Sequence, residues 1–140
     1  VFDKKLLKIF ANALKNLKTK FSWIVNSEDG MDEISPYSKT NVVQIKDNKI
    51  SEIIIDPKDL KINADKFENL LGDDAEFNAN KIIGIFKGEE NDFSKAVCLN
   101  AAAGLIVSEN HTKFIEAYQN AKEHILSGNT YKHLKAIQNG

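Results

Sequence analysis

The run Asn41-Val42-Val43-Gln44-Ile45-Lys46-Asp47-Asn48-Lys49-Ile50-Ser51-Glu52-Ile53-Ile54-Ile55 decides the fold class. Two β-rich stretches, 41–46 and 49–55, flank Asp47-Asn48, a pair that tolerates positive φ and so favours a tight hairpin. Pro57 closes the second stretch because it has no N–H to give to a ladder. Upstream, Phe21-Ser22-Trp23-Ile24-Val25 reads as a buried strand. Most of the remaining chain reads as helix. Leu6, Leu7, Phe10, Ala13, Leu14 and Leu17 recur at helical spacing behind Asp3, which is placed to cap them. A short helix is expected over 64–71. Asp73 is placed to cap the next, with Glu76 in the capping-box position, a stripe of Ala75, Ala79, Ile82, Ile83 and Phe86, and Gly88 as its terminator. Another starts at Asp92, as cap, and runs to about Val107. Its small centre, Ala101-Ala102-Ala103-Gly104, lets a neighbour approach closely. A helix over 112–127 turns Phe114, Ala117, Tyr118, Ala121 and Ile125 inward and stops at Gly128, and a last one covers 130–138. The order is α/β with a helical second half: few strands plus a hairpin, covered by helices, in one domain over 1–140.

Composition narrows the function classes. The chain of 140 residues is 42% hydrophobic and 28% charged, as a globular domain is. Nineteen basic against twenty acidic residues leave a formal charge of −1, which argues against a strongly basic nucleic-acid binder. Every basic residue is lysine, so no guanidinium fork grips a phosphate or carboxylate. Cys98 is the only cysteine, which excludes an internal disulfide and a Cys-rich zinc site and fits a reducing, cytoplasmic setting. It sits in an apolar run, as a small buried hydrophobe does. That run, 96–107, is interrupted by Asn100 and is too short to span a bilayer. The first residues, Val1-Phe2-Asp3, do not include a Met, and a piece of a longer protein is expected.

One loop carries chemistry. After Val25, six residues hold four carboxylates, Glu28, Asp29, Asp32 and Glu33, with Gly30 allowing a sharp turn. In open α/β sheets ligands bind just beyond the carboxyl ends of strands. Carboxylates gathered there repel one another unless a cation neutralises them, and Mg²⁺ is such a cation, with oxygen ligands and waters shared with phosphates. A solvated Asp-Gly turn is the other reading, and spacing alone leaves both open. His111, His124 and His133 show no ligand spacing. Asn100, inside an apolar helix, is expected to hydrogen-bond backbone and to act structurally, without bearing on metal affinity.

The loop Glu28-Asp29-Gly30-Met31-Asp32-Glu33-Ile34-Ser35 resembles the acidic motif of anthranilate phosphoribosyltransferases. Val42 to Ile55, ending in Asp56-Pro57, is similar to that family's hairpin. Gly72-Asp73-Asp74-Ala75-Glu76-Phe77-Asn78-Ala79 resembles its Gly-Gly-Asp-Ala-x-x-Asn-Ala segment, and Leu99-Asn100-Ala101-Ala102-Ala103 its Leu-Asn-Ala-Ala helix. Ser127-Gly128 and the final helix match its C-terminus. The resemblance implies the C-terminal portion of a nucleoside phosphorylase/phosphoribosyltransferase-type catalytic domain. It implies phosphoribosyl transfer from phosphoribosyl pyrophosphate to anthranilate in tryptophan biosynthesis, with Mg²⁺, in a full-length homodimer. It maps the family's metal-binding Asp-Glu pair onto Asp32 and Glu33. The family's Gly-Thr-Gly-Gly-Asp loop, helical N-terminal domain and anthranilate-binding arginine have no counterpart in these residues, so the isolated piece is expected to be inactive. Asn26-Ser27 departs from the family's frequent His-Gly and changes the strand end beside the loop. Asp73 departs from its Gly-Gly step but keeps a cap. Three alternatives remain: a non-catalytic nucleic-acid-binding relative, a pyrimidine nucleoside phosphorylase, and a small α/β interaction module.

Overall fold

The computed structural model describes residues 1–64 and 66–139. Helix α1 (Leu6–Asn16) leads into strands β1 (Phe21–Ser27), β2 (Thr40–Lys46) and β3 (Lys49–Ile55). A 3-10 turn (Phe67–Leu70) follows, then helices α2 (Ala75–Phe86), α3 (Asp92–Val107), α4 (Phe114–Leu126) and α5 (Asn129–Asn139). The short helix expected over 64–71 shrinks to that turn, and its Asp65 lies outside the described residues.

The hairpin forms as the sequence dictates. Asp47 and Asn48 take φ of 48° and 64°, the pair of left-handed residues that matches the twist of the flanking strands. The sheet order is β1-β2-β3, antiparallel throughout, with Val42 facing Val25 on one side and Ile53 on the other. A sheet in which ligands sit at the ends of parallel strands is therefore not what these three strands make. What survives of that expectation is that the carboxyl end of β1 leads directly into the acidic loop.

Alternation along the central strand divides the core into two layers. Val43 and Ile45 of β2, with Ile24 of β1, pack under Leu7 and Ala11 of α1. Val42 and Ile55 on the opposite face pack with Cys98, Leu99, Ala102 and Ile106 of α3 and with Ala117, Tyr118, Ala121 and Ile125 of α4. The result is helix, sheet, helices, with β2 in the middle.

Several buried stripes differ from the sequence reading. In α1, Leu7 and Ala11 are buried while Phe10, Ala13 and Leu17 are exposed, because the helix meets the sheet along one narrow i, i+4 seam. In α2 only Gly84 and Ile85 are buried, and Ala75, Ala79 and Ile82 are exposed: the helix reaches the core with its last turn alone. The close approach expected at 101–104 is confined to Ala102; a methyl group placed on Gly104 would meet nothing within 4 Å.

The caps of α2 and α3 shift by one residue each. Asp74, not Asp73, caps α2, accepting from Phe77 N at 2.8 Å. Asp73 instead exchanges two backbone hydrogen bonds with the Asn78 side chain, at 3.2 and 2.8 Å. Asn91, not Asp92, caps α3, in a reciprocal capping box with Ser94. Asx side chains cap from extended backbone, and in both cases the earlier or later neighbour has that conformation. Asp3 is not the cap of α1 either: the helix starts behind Lys5, which makes no side-chain cap bond, and Asp3 lies two residues earlier, accepting from Lys5 N at 2.8 Å. Gly88 and Gly128 follow their helices with φ of 99° and 72°.

Candidate functional site

β1 runs two residues beyond its apolar stretch. Asn26 and Ser27, read from sequence as loop, pair with Asn41 and Thr40 and are buried. They can be buried because they are satisfied. The Asn26 amide donates to Val1 O at 2.9 Å, and the Ser27 hydroxyl lies 2.6 Å from that of Thr40.

From this anchored end the chain makes a loop, 28–39, whose polar groups are mostly spoken for. Ser27 Oγ donates to Glu33 O at 2.8 Å, and Ser35 N donates to Ser27 Oγ and Thr40 Oγ1 at 3.2 Å each. Glu28 N reaches back to Lys39 O at 2.9 Å, closing the loop's base. Ser35, fully buried, donates its hydroxyl to Asp29 Oδ2 and accepts from Tyr37 N at 3.0 Å. Asp29 Oδ1 also accepts from Met31 N at 3.2 Å across Gly30, which takes a φ of 93°.

α3 holds the loop from the other side. Asn100 Oδ1 accepts from Ile34 N at 3.0 Å, and Asn100 Nδ2 donates to Ile34 O at 3.1 Å and to Ala96 O at 2.9 Å. Two turns earlier, the buried carboxylate of Asp92 accepts from Tyr37 Oη at 3.0 Å and Asn69 Nδ2 at 2.9 Å, and pairs with Lys95 Nζ at 2.7 Å.

These bonds divide the four carboxylates. Asp29 is used inside the loop. Glu28, Asp32 and Glu33 are exposed, and among the described residues none of their side chains has a hydrogen-bond or ion-pair partner. Asp32 and Glu33 are thus exposed, and among the described residues neither is paired with lysine. They do not form a protein cage with the others: among the described residues no three His, Cys, Asp or Glu side chains gather as a metal site. A donor set of one or two exposed carboxylates fits Mg²⁺, which keeps waters and shares substrate phosphates, and does not fit Zn²⁺ or a dedicated Ca²⁺ cage. An open depression of about 490 Å³ adjoins the loop and is lined by Glu28, Gly30, Asn26 and Asp3, but not by the Asp32-Glu33 pair.

The other reactive groups are quiet. Burial pushes the Cys98 thiol up to about 11, so it is neutral and non-nucleophilic near pH 7. Burial likewise raises the Tyr118 hydroxyl to about 12. Among the described residues no helix is long and apolar enough to cross a membrane.

Sequence reasoning found the acidic loop and Asn100 but missed the loop's supports: Ser27, Ser35, Thr40 and the Tyr37–Asp92 link. Small hydroxyl residues at strand ends are common in turns, and nothing in their spacing distinguishes a buried network from a wet one. The partner of Asn100 lies 66 positions away, beyond the reach of any local pattern.

Comparison with known proteins accords with this architecture. A family model described as "Glycosyl transferase family, a/b domain" matches residues 1–131. The anthranilate phosphoribosyltransferase of Pelagibacter ubique (strain HTCC1062) is 78% identical over 139 residues, covering 99% of this chain and 42% of that protein. The crystal structure of anthranilate phosphoribosyltransferase from Thermus thermophilus superposes with a TM-score of 0.87 at 27% identity, over 97% of this chain and 40% of that one. A variant of the Saccharomyces cerevisiae enzyme with Mg bound superposes with a TM-score of 0.82 at 25% identity, over 96% and 40%. The chain spans about two-fifths of the length of these relatives. With a three-layer α/β fold matched almost end to end, the chain belongs to the glycosyl transferase family, by its a/b domain.

Proposed function

We propose that this chain is the C-terminal part of the catalytic domain of an anthranilate phosphoribosyltransferase, and that Asp32 and Glu33 are its contribution to the Mg²⁺-binding site. The reaction is transfer of the phosphoribosyl group from phosphoribosyl pyrophosphate to the amine of anthranilate, releasing pyrophosphate. The observation that carries the reading is the division of the acidic loop: the fold hydrogen-bonds the Asp29 carboxylate and leaves those of Glu28, Asp32 and Glu33 exposed and unpartnered among the described residues, the last two at the positions where the family resemblance puts metal ligands. The 78% identity to the Pelagibacter ubique enzyme supports the choice of acceptor.

A divalent cation bound at such a pair neutralises charge on a pyrophosphate leaving group. The rest of the work done by this chain is positioning. Ser27 and Asn100 hold the backbone at Glu33 and Ile34, so the two carboxylates project from a loop whose root is fixed. Pre-set geometry of this kind reduces the reorganisation needed when charge develops in the transition state. Among the described residues no lysine is paired with either carboxylate, so neither has to break an ion pair to take a cation. The same reading carries a cytoplasmic location, which a single buried cysteine suits, and a homodimer assembled through parts of the protein beyond this chain.

The test is the loss of anthranilate fluorescence in the presence of phosphoribosyl pyrophosphate, with and without Mg²⁺, using a full-length protein that carries this segment. Mg²⁺-dependent consumption of anthranilate with matching release of pyrophosphate is expected. Phosphorolysis of a pyrimidine nucleoside without turnover of anthranilate would replace this reading with the nucleoside phosphorylase one.

A further inference from the structure

We infer that Asn100 is a positioning residue for the Asp32-Glu33 pair, an inference that rests on the function proposed above. The sequence assigns Asn100 a bland task, that of satisfying backbone inside an apolar helix. The structure shows which backbone. Its amide grips both polar groups of Ile34, accepting from the N–H at 3.0 Å and donating to the carbonyl at 3.1 Å. A side-chain amide that binds N–H and C=O of one residue imitates a β-ladder partner, and fixes the peptide in both position and orientation. Ile34 is the residue directly after Glu33, and it is fully buried, so its backbone has no water to turn to.

The second donor hydrogen of Asn100 goes to Ala96 O at 2.9 Å, one turn back in α3. That bond fixes the side chain on its own helix, so the clamp is rigid at both ends. α3 is in turn the most deeply buried helix of the core, with Leu99 and Ala102 on either side of Asn100 fully enclosed. The route from core to acidic pair is therefore short: α3, the Asn100 amide, the Ile34 peptide, Glu33. The backbone of the pair itself is held by Ser27 Oγ, which donates to Glu33 O, and by Val1 N, which donates to Asp32 O at 3.3 Å. Without Asn100 the segment from Asp32 to Ile34 keeps one side-chain tether instead of two residues' worth, and the carboxylates lose a defined starting geometry. Groups that orient metal ligands from outside the coordination shell typically change metal affinity by about 10–100-fold when removed. The expectation from sequence that Asn100 leaves metal affinity alone is revised accordingly.

The experiment compares four forms of the full-length protein: unaltered, Asn100→Ala, Asp32→Asn with Glu33→Gln, and Ile106→Val as a core substitution on α3 remote from the loop. Calorimetry reads binding of Mg²⁺ with pyrophosphate, and hydrogen exchange by mass spectrometry reads the peptide containing Ile34. For Asn100→Ala, binding is expected to weaken about tenfold or more, exchange at Ile34 to quicken, and excess Mg²⁺ to restore most of kcat. Ile106→Val is expected to change none of these. If Asn100→Ala fails to fold, Asn100→Asp replaces it, keeping the acceptor for Ile34 N while losing both donated bonds, and the same weakening is expected. Unchanged Mg²⁺–pyrophosphate binding in a folded Asn100 variant would overturn the inference, provided the double carboxylate variant has lost it. If the double variant binds as well as the unaltered protein, it is the proposed metal role of Asp32 and Glu33 that falls.

Discussion

Replacing Asp92 by Ala is expected to be among the most damaging single changes in the chain. The carboxylate is 5% exposed and accepts from Tyr37 Oη at 3.0 Å, Asn69 Nδ2 at 2.9 Å and Lys95 Nζ at 2.7 Å. A hydrogen bond to a charged group contributes about 1.5–3 kcal/mol, and breaking a buried pair by removing one partner costs about 3–5 kcal/mol. Lys95 is the reason to expect the lower end. Its side chain is 29% exposed and keeps a bond to Asn63 O, so its ammonium is not stranded when the carboxylate goes. The loss expected for Asp92→Ala is therefore about 3 kcal/mol. Tyr37→Phe removes the Oη bond to Asp92 and is expected to cost about 1.5 kcal/mol. The two act on one contact, so the double variant is expected to fall short of the sum by about 1 kcal/mol. Urea unfolding of the 140-residue chain followed by Trp23 fluorescence measures all three, since Trp23 packs against Phe114 inside the core layer. A loss below about 1 kcal/mol for Asp92→Ala, within the range of an exposed ion pair, would refute the reasoning that this carboxylate ties the loop to α3.

Two further outcomes follow from the same geometry. Asp74→Ala is expected to lower stability by about 1 kcal/mol as a lost N-cap, with Asp73→Ala costing clearly less; the reverse order in urea titrations would restore Asp73 as the cap. At alkaline pH the fold is expected to weaken. Cys98 ionises at about 11 when folded against an ordinary 9.0, so above pH 9 the unfolded chain sheds a proton that the folded chain keeps, and stability falls as pH rises towards 11. Tyr118, raised to about 12 by burial, acts in the same direction at higher pH. A pH titration of the unfolding midpoint is expected to show a shallower alkaline decline for Cys98→Ala.

What was legible in the sequence follows the range of each interaction. The hairpin was readable because Asp47-Asn48 and the β-branched runs beside it are local. Helix existence and the Gly88 and Gly128 stops were readable for the same reason. Buried stripes were not, because a helical pattern says which residues are apolar and not how wide a seam its neighbour offers. α1 has apolar residues at 6, 7, 9, 10, 11, 13 and 14, and the sheet takes only Leu7 and Ala11 fully. The acidic loop stood out by composition, and its Asp-Glu pair by family resemblance. The network that holds it did not, because Asn100 to Ile34 and Tyr37 to Asp92 join residues 66 and 55 positions apart.

The central claim is that the exposed carboxylates of Asp32 and Glu33 serve a metal bound with the leaving group. Its most direct test is the initial rate of anthranilate consumption by a full-length protein carrying Asp32→Asn with Glu33→Gln, measured across a Mg²⁺ titration. Both changes keep side-chain size at exposed positions, so unfolding stability is expected to stay within about 0.5 kcal/mol. Loss of charge neutralisation on pyrophosphate is worth several kcal/mol of transition-state stabilisation, so the rate is expected to fall by about a thousandfold or more. A near-normal rate at limiting Mg²⁺ would contradict the account.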